Sequence, residues 1–166
     1  RILTNALAMV LALGVSAQAT DLIISEYVEG SGSEKYIELY NGTAASINLN
    51  NYQLRLYANG GGVVPAYTGW TTNNTLAGTI APGATVVYRN GSAGLYPAAT
   101  VNTVCNWNGD DAVVLWKVST AAPIDIFGMV TCDPGSQWLA TGLSTLDRTV
   151  RRKANICAGV AANPLG

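Results

Sequence analysis

From Thr20 onward, short runs of β-branched and aromatic residues alternate with polar positions and are punctuated by Gly, Asn and Pro. Period-two alternation of this kind predicts half-buried strands joined by turns. The first run is Leu22 to Val28, with Ile23, Ser25 and Tyr27 opposite Leu22, Ile24 and Glu26. Lys35 to Tyr40 alternates more cleanly: Tyr36, Glu38 and Tyr40 share one face, and Ile37 and Leu39 the other. Asn41-Gly42 signals a turn, and Ile47 and Leu49 predict a short strand before Asn50-Asn51. Tyr52 to Tyr57 alternates again, with Leu54 and Leu56 inward and Gln53 and Arg55 outward.

The stretch from Gly60 to Asn74 is glycine-rich and polar, and predicts a long surface loop. Thr75 to Ile80 and Ala84 to Arg89 read as strands joined at Pro82-Gly83, followed by an irregular segment from Asn90 to Asn102. Asp111 to Lys117 and Ile124 to Val130 form a hairpin candidate, and Leu146 to Lys153 reads as the last strand. No segment carries helical periodicity over three turns. The pattern predicts an all-β, Ig-like β-sandwich of about nine strands, occupying residues 20–160 as one domain.

Ahead of it, Ala6 to Val15 is an almost unbroken apolar run, and Ser16-Ala17-Gln18-Ala19 ends in an Ala-x-Ala pattern. Residues 1–19 therefore read as a cleaved signal peptide, Arg1 being what remains of its basic start. The run is shorter than the roughly 20 residues of a membrane span. Localisation outside a bacterial cell, secreted or at the surface, is expected, with no membrane span after cleavage. Without an initiator Met the sequence is expected to begin inside its gene product. Residues 161–166 are expected to open a linker to a downstream region.

Composition narrows the chemistry. Charged residues make up 11% of the chain and the net charge is −1, so long-range attraction to nucleic acid gains nothing from the total. There is no His, which removes Ser-His-Asp and Cys-His catalysis and most zinc and iron sites. A non-catalytic chain without cofactor or metal is expected. Cys105, Cys132 and Cys157 allow one disulfide and leave one thiol. The hairpin places Cys105 and Cys132 at one end, and the last strand can bring Cys157 to that end. All three pairings are open, with a slight preference for Cys105–Cys157.

Several segments taken in order resemble the lamin tail domain, an Ig-like sandwich of nuclear lamins and of many exported bacterial proteins. They are Leu22 to Tyr27, Lys35 to Asn41, Leu49 to Leu56, Asn108-Gly109-Asp110-Asp111-Ala112, Asp125 to Gly128, Asp133-Pro134-Gly135-Ser136-Gln137-Trp138 and Thr149 to Lys153. The last two resemble most the N-terminal domain of secreted bacterial nucleases, in which a metal-dependent endonuclease/exonuclease/phosphatase domain usually follows. The resemblance implies an accessory, non-catalytic role here, with any catalytic domain beyond Gly166. The alternative is a stand-alone surface or matrix adhesion module that binds protein or glycan.

Candidate contacts follow from the same residues. Arg148, Arg151, Arg152 and Lys153 hold four of the nine basic residues and are the one candidate DNA footprint. Strand alternation splits them, Arg148 and Arg152 one way and Arg151 and Lys153 the other, which favours an edge-guarding or salt-bridging role. Trp70 and Trp107, in loops, are the candidate exposed pair for a glycan, whereas Trp116 reads as core and Trp138 as a plug at the sandwich end. Asn108, Gly109, Asp110 and Asp111 read as a loop in which carboxylates bind backbone N–H groups, in preference to a calcium loop of six or so oxygens. Asp133, Pro134, Gly135 and Trp138 read as structural. Glu26 and Glu38 are expected to lie diagonal to one another or to bond basic partners, since like charges directly opposed are destabilising.

Overall fold

The computed structural model describes residues 18–164; the apolar run Ala6 to Val15 lies outside them. The elements are β1 (Leu22–Glu29), β2 (Lys35–Asn41), β3 (Ile47–Asn48), a 3-10 turn (Leu49–Asn51), β4 (Tyr52–Tyr57), β5 (Thr72–Thr75) and β6 (Thr79–Ile80). They continue with β7 (Thr85–Arg89), β8 (Thr100–Val101), β9 (Ala112–Lys117), β10 (Ala122–Phe127), β11 (Leu139–Ala140), β12 (Leu143–Ser144) and β13 (Arg148–Arg151). Eight strands have four residues or more, near the nine expected, and the other five are two-residue pieces. Fragments that short carry no alternation to read.

Two sheets face one another in an Ig-like β-sandwich. One has five strands in the order β13-β1-β2-β7-β8, and the other four in the order β10-β9-β4-β5. Between them lie Leu22, Ile24, Tyr27, Ile37 and Leu39 from the first sheet against Leu54, Leu56, Val113 and Leu115 from the second. Each such side chain removed from water stabilises the fold by roughly 1.5–3 kcal/mol. Trp107 closes one end of this core, stacked on Tyr27 with centroids 4.9 Å apart, while Phe127 stacks on the same tyrosine at 3.9 Å. Burial pushes the Tyr27 and Tyr88 phenols up, Tyr88 to about 12.

A bulge changes the phase of β1. The register runs Ile24↔Leu39 and then Glu26↔Glu38, so Ser25 is an extra residue on its strand. Downstream of the bulge Tyr27 joins Leu22 and Ile24 on the core side, instead of sharing a face with Ile23 as strict alternation predicts. The same slip sets Glu26 directly opposite Glu38, where an unbulged strand would oppose Glu26 to Ile37. The expected diagonal arrangement is thus overturned by one inserted residue, while the other expectation, a basic partner, is met for Glu26, which accepts from Arg151 at 2.9 Å.

The Gly60 to Asn74 stretch is also corrected. Its last residues form part of β5, and its middle covers the outer face of the four-stranded sheet. There Tyr67, with Val64 beside it, packs on Tyr57, Val114, Trp116 and Ile126 as a second cluster. Two apolar anchors in a polar stretch suffice, because the Tyr67 carbonyl accepts from the Tyr57 hydroxyl at 2.7 Å and from Arg55 at 3.2 Å. Arg55, expected to point outward into water, is buried between Trp70 and Trp116 at 4.4 and 3.7 Å from their rings.

Candidate functional site

The outer face of the five-stranded sheet is covered in part: Ala93 and Ala99 of the segment between β7 and β8 pack on Tyr36 with Val28 and Val87 beside them, and a groove is left open next to them. The columns across it read Arg151–Glu26–Glu38–Val87 and Thr149–Val28–Tyr36–Arg89. A groove of about 210 Å³ runs over them, with Val28, Tyr36 and Val87 in its floor beside Glu26 and Glu38. Leu95 and Tyr96 form its wall. Ser25 donates its hydroxyl to Glu38 at 2.7 Å, and Arg151 donates to Glu26 at 2.9 Å.

The wall belongs to the irregular segment between β7 and β8, yet it is held by side chains from three positions. Arg89 donates to the carbonyls of Asn90, Gly91, Ala93 and Ala99 at 2.9–3.2 Å. Glu34 accepts from the Gly94 and Leu95 N–H groups at 2.8 and 3.2 Å. Tyr36 donates its hydroxyl to Glu34 at 2.5 Å and accepts from the Tyr96 N–H at 3.1 Å. The Tyr36 hydroxyl and the Gly94 amide hold the Glu34 carboxyl below the ordinary range. Burial and the neighbouring Glu34 push the Tyr36 phenol up. Leu95 and Tyr96 remain 81% and 51% exposed, so a pinned backbone displays two large apolar side chains to solvent. Only an isolated Leu-Tyr pair in a Gly- and Ser-rich segment hints at them in the sequence.

The basic run is divided among different tasks. Arg152 is half-buried; it forks onto both oxygens of fully buried Asp125 at 2.7–2.8 Å and donates to the Ile24 carbonyl at 2.8 Å. Burial pushes the Asp125 carboxyl up, while Arg152 and the Val160 and Ile24 N–H groups pull it back. Arg151 is 74% exposed and bonds Glu26. Arg148 is exposed and donates to the Asp147 carbonyl at 3.2 Å, and Lys153 is exposed. The four do not form one patch of free charge.

The expected tryptophan pair is not exposed together. Trp70 is 36% exposed and lies on Arg55, but Trp107 is buried, its indole N–H donating to the Val28 carbonyl at 3.0 Å. Its place between two loop asparagines hid its role as the end of the core.

Asn108 to Asp111 knits the sandwich end. Asp111 accepts from the Asn59 and Asn108 N–H groups at 3.0 and 3.3 Å. The Asn108 amide nitrogen, turned toward the acids, donates to Asp111 at 3.0 Å and to Asp110. Gly109 has φ +105°, and a Cβ there would lie 3.2 Å from the Ser136 carbonyl and the Leu146 backbone, so only glycine fits. Trp138 donates its indole N–H to the Asp111 carbonyl at 3.0 Å and fills the space beside Gly128, where a Cβ would approach the indole to 2.8 Å. Asp133 caps Gly135 through its N–H at 2.7 Å, with Pro134 in the turn between them.

The Cys105–Cys157 bridge is not formed, and all three thiols are free. The last strand carries Cys157 to the wrong end. Cys157 borders Tyr40 and Gly42, past the end of β2, while the Cys105 carbonyl binds Asn90, whose N–H bonds Lys35 at the start of β2. The length of that strand, roughly 3.3 Å per residue, exceeds the 7 Å or so that a disulfide tolerates between Cα atoms. Burial in the core also pushes the Cys105 thiol up.

Fold and surface together define an Ig-like β-sandwich module. The Lamin Tail Domain family model matches residues 15–131, and the chain belongs to that family. The matched span ends before Trp138 and β13, which complete the sandwich end and the sheet edge. No curated protein and no solved structure matches the chain.

Proposed function

We propose that this lamin tail domain is a non-catalytic binding and positioning module of an exported bacterial protein, its parent a secreted nuclease of the endonuclease/exonuclease/phosphatase class. The observation that carries the binding role is the pinned display of Leu95 and Tyr96 beside the open groove over Glu26 and Glu38. Ordering a loop beforehand lowers the cost of binding, and apolar side chains continuous with an apolar groove and rimmed by charge are the kind of surface that partners cover.

The geometry favours a protein partner over DNA. Arg152 is neutralised by Asp125 and Arg151 is engaged by Glu26, so little of the basic run is free to release counterions from phosphate. The nuclease parent rests on the Asp133 to Trp138 and Arg151-Arg152-Lys153 segments. A glycan-binding surface module is the second reading, favoured by Trp70 alone.

Export by a signal cleaved after Ala19 belongs to the same proposal. Ala19 is buried, and its N–H donates to the Gly42 carbonyl at 3.2 Å, so cleavage there precedes this packing or displaces it. Sequencing the gene beyond Gly166 tests the parent: a metal-dependent nuclease domain downstream supports it, and an unrelated domain or an immediate stop removes it. Mass spectrometry of the exported protein tests processing, the expected first residue being Thr20. Retention of residues 20–166 on immobilised duplex DNA at low salt would reverse the preference for a protein partner.

A further inference from the structure

Glu26 and Glu38 face one another across β1 and β2 because of the Ser25 bulge. Directly opposed like charges cost stability, and a local arrangement that works against the fold is expected where function requires it. One cation contacts the pair, Arg151, which is 74% exposed and bonds Glu26 alone, while Arg89 on the same face is committed to the loop carbonyls. Glu38 has the neutral Ser25 hydroxyl. The groove floor is therefore short of positive charge by one, directly beside the apolar surface of Val28, Val87 and Tyr36 and the Leu95–Tyr96 wall.

We infer that this groove takes an extended segment of a partner protein in which a Lys or Arg is flanked by apolar side chains. The cation sits between Glu26 and Glu38 and completes the charge of the pair, its aliphatic stem lying along Val28 and Val87. A neighbouring apolar side chain packs on Leu95 and Tyr96. Alternate side chains of an extended peptide point to one side, so two residues spaced by one reach both subsites. Charge-assisted contacts to carboxylates are the stronger kind of hydrogen bond, and Tyr is well suited to an interface because it offers a large rigid face and a polar tip. The inference rests on the binding-module reading above and names the chemistry of its partner.

The test is an NMR titration of residues 20–166 with acetyl-Leu-Thr-Lys-Thr-Leu-amide, in which Lys and both Leu share one face of the extended chain, and with the same peptide carrying Glu for Lys. The lysine peptide is expected to move the signals of residues 26–28, 36–38, 87 and 94–96, and the glutamate peptide to leave them unmoved. Glu38→Gln is expected to weaken binding about tenfold, as loss of a charge-assisted contact implies, while its thermal midpoint stays level or rises. A merely structural Glu38 would instead lose midpoint and leave binding alone. Tyr96→Ala weakens the lysine peptide without changing its preference over the glutamate peptide. Equal binding of the two peptides, shifts elsewhere, or no shifts at all overturn the inference. Parallel titrations with duplex DNA and a glycan panel separate the two readings: where the lysine peptide fails, binding of either at another surface keeps the module reading while this groove assignment falls.

Discussion

The two outer faces of the sandwich meet solvent in opposite ways. Over the four-stranded sheet, Tyr67 and Val64 descend from the glycine-rich stretch, Trp70 and Trp116 enclose Arg55, and β9 is buried on both sides. Over the five-stranded sheet the loop between β7 and β8, held by Arg89, Glu34 and Tyr36, packs Ala93 and Ala99 on Tyr36 and leaves the groove beside Glu26 and Glu38 open. One loop is used as a lid and the other as a wall. The difference lies in which apolar side chains point inward: the large Tyr67 does so and is 7% exposed, whereas the other loop turns the small Ala93 and Ala99 inward and Leu95 outward. A covered face stabilises the domain, and a partly covered face with a pinned wall leaves a groove for something else to fill.

The largest expected effect falls on what both faces share. Trp107→Ala removes the end of the common core and is expected to cost about 4 kcal/mol, measured by urea unfolding; a change below about 1 kcal/mol would mean that Trp107 is not part of it. Next, Asp125→Asn leaves the Arg152 guanidinium without its acid and is expected to cost about 3 kcal/mol. Limited proteolysis should then cut after Arg152 first, since Asp125 also accepts from the Val160 N–H.

A paired measurement breaks the comparison itself. Tyr67→Ala is expected to cost about 3 kcal/mol as a core truncation, whereas Tyr96→Ala changes stability by less than about 0.5 kcal/mol as a surface change. Equal costs would show that the two faces are not used differently. The smallest effect is a pH dependence of the wall. The Glu34 carboxyl is held below its ordinary value of 4.5 by Tyr36 and the loop amides. Its contribution is therefore present above 4.5 and lost as pH falls through the lower folded value. Hydrogen exchange at Gly94 and Leu95 should accelerate relative to the β2 amides below pH 4.5, and Glu34→Gln should abolish that extra dependence.

Most of the sandwich was legible because strands with one buried face announce themselves by alternation. β2 and β4 appear within a residue of where Ile37/Leu39 and Leu54/Leu56 predict them. The two-residue strands were not legible, being products of pairing and not of pattern. Of the candidate site, Glu26 and Glu38 were visible as a concentration of acid, but their apposition was not. Leu95 and Tyr96 carried no signal beyond being apolar in a loop, and the tryptophan pair was misread because a loop residue can close a core as well as leave it.

By itself the sequence determined that this is an all-β domain without a histidine to build catalysis on. It also determined where its long strands run and which motifs tie it to the lamin tail family. Those properties are local: periodicity, turn residues and residue type act within a few positions of one another. Only the tertiary structure decided which cysteines lie far apart, which arginine is neutralised, which glycine-rich stretch becomes a lid, and that one bulge at Ser25 brings two carboxylates face to face. Each of these depends on register and on contacts between residues a dozen or more positions apart, which alternation along the chain does not encode.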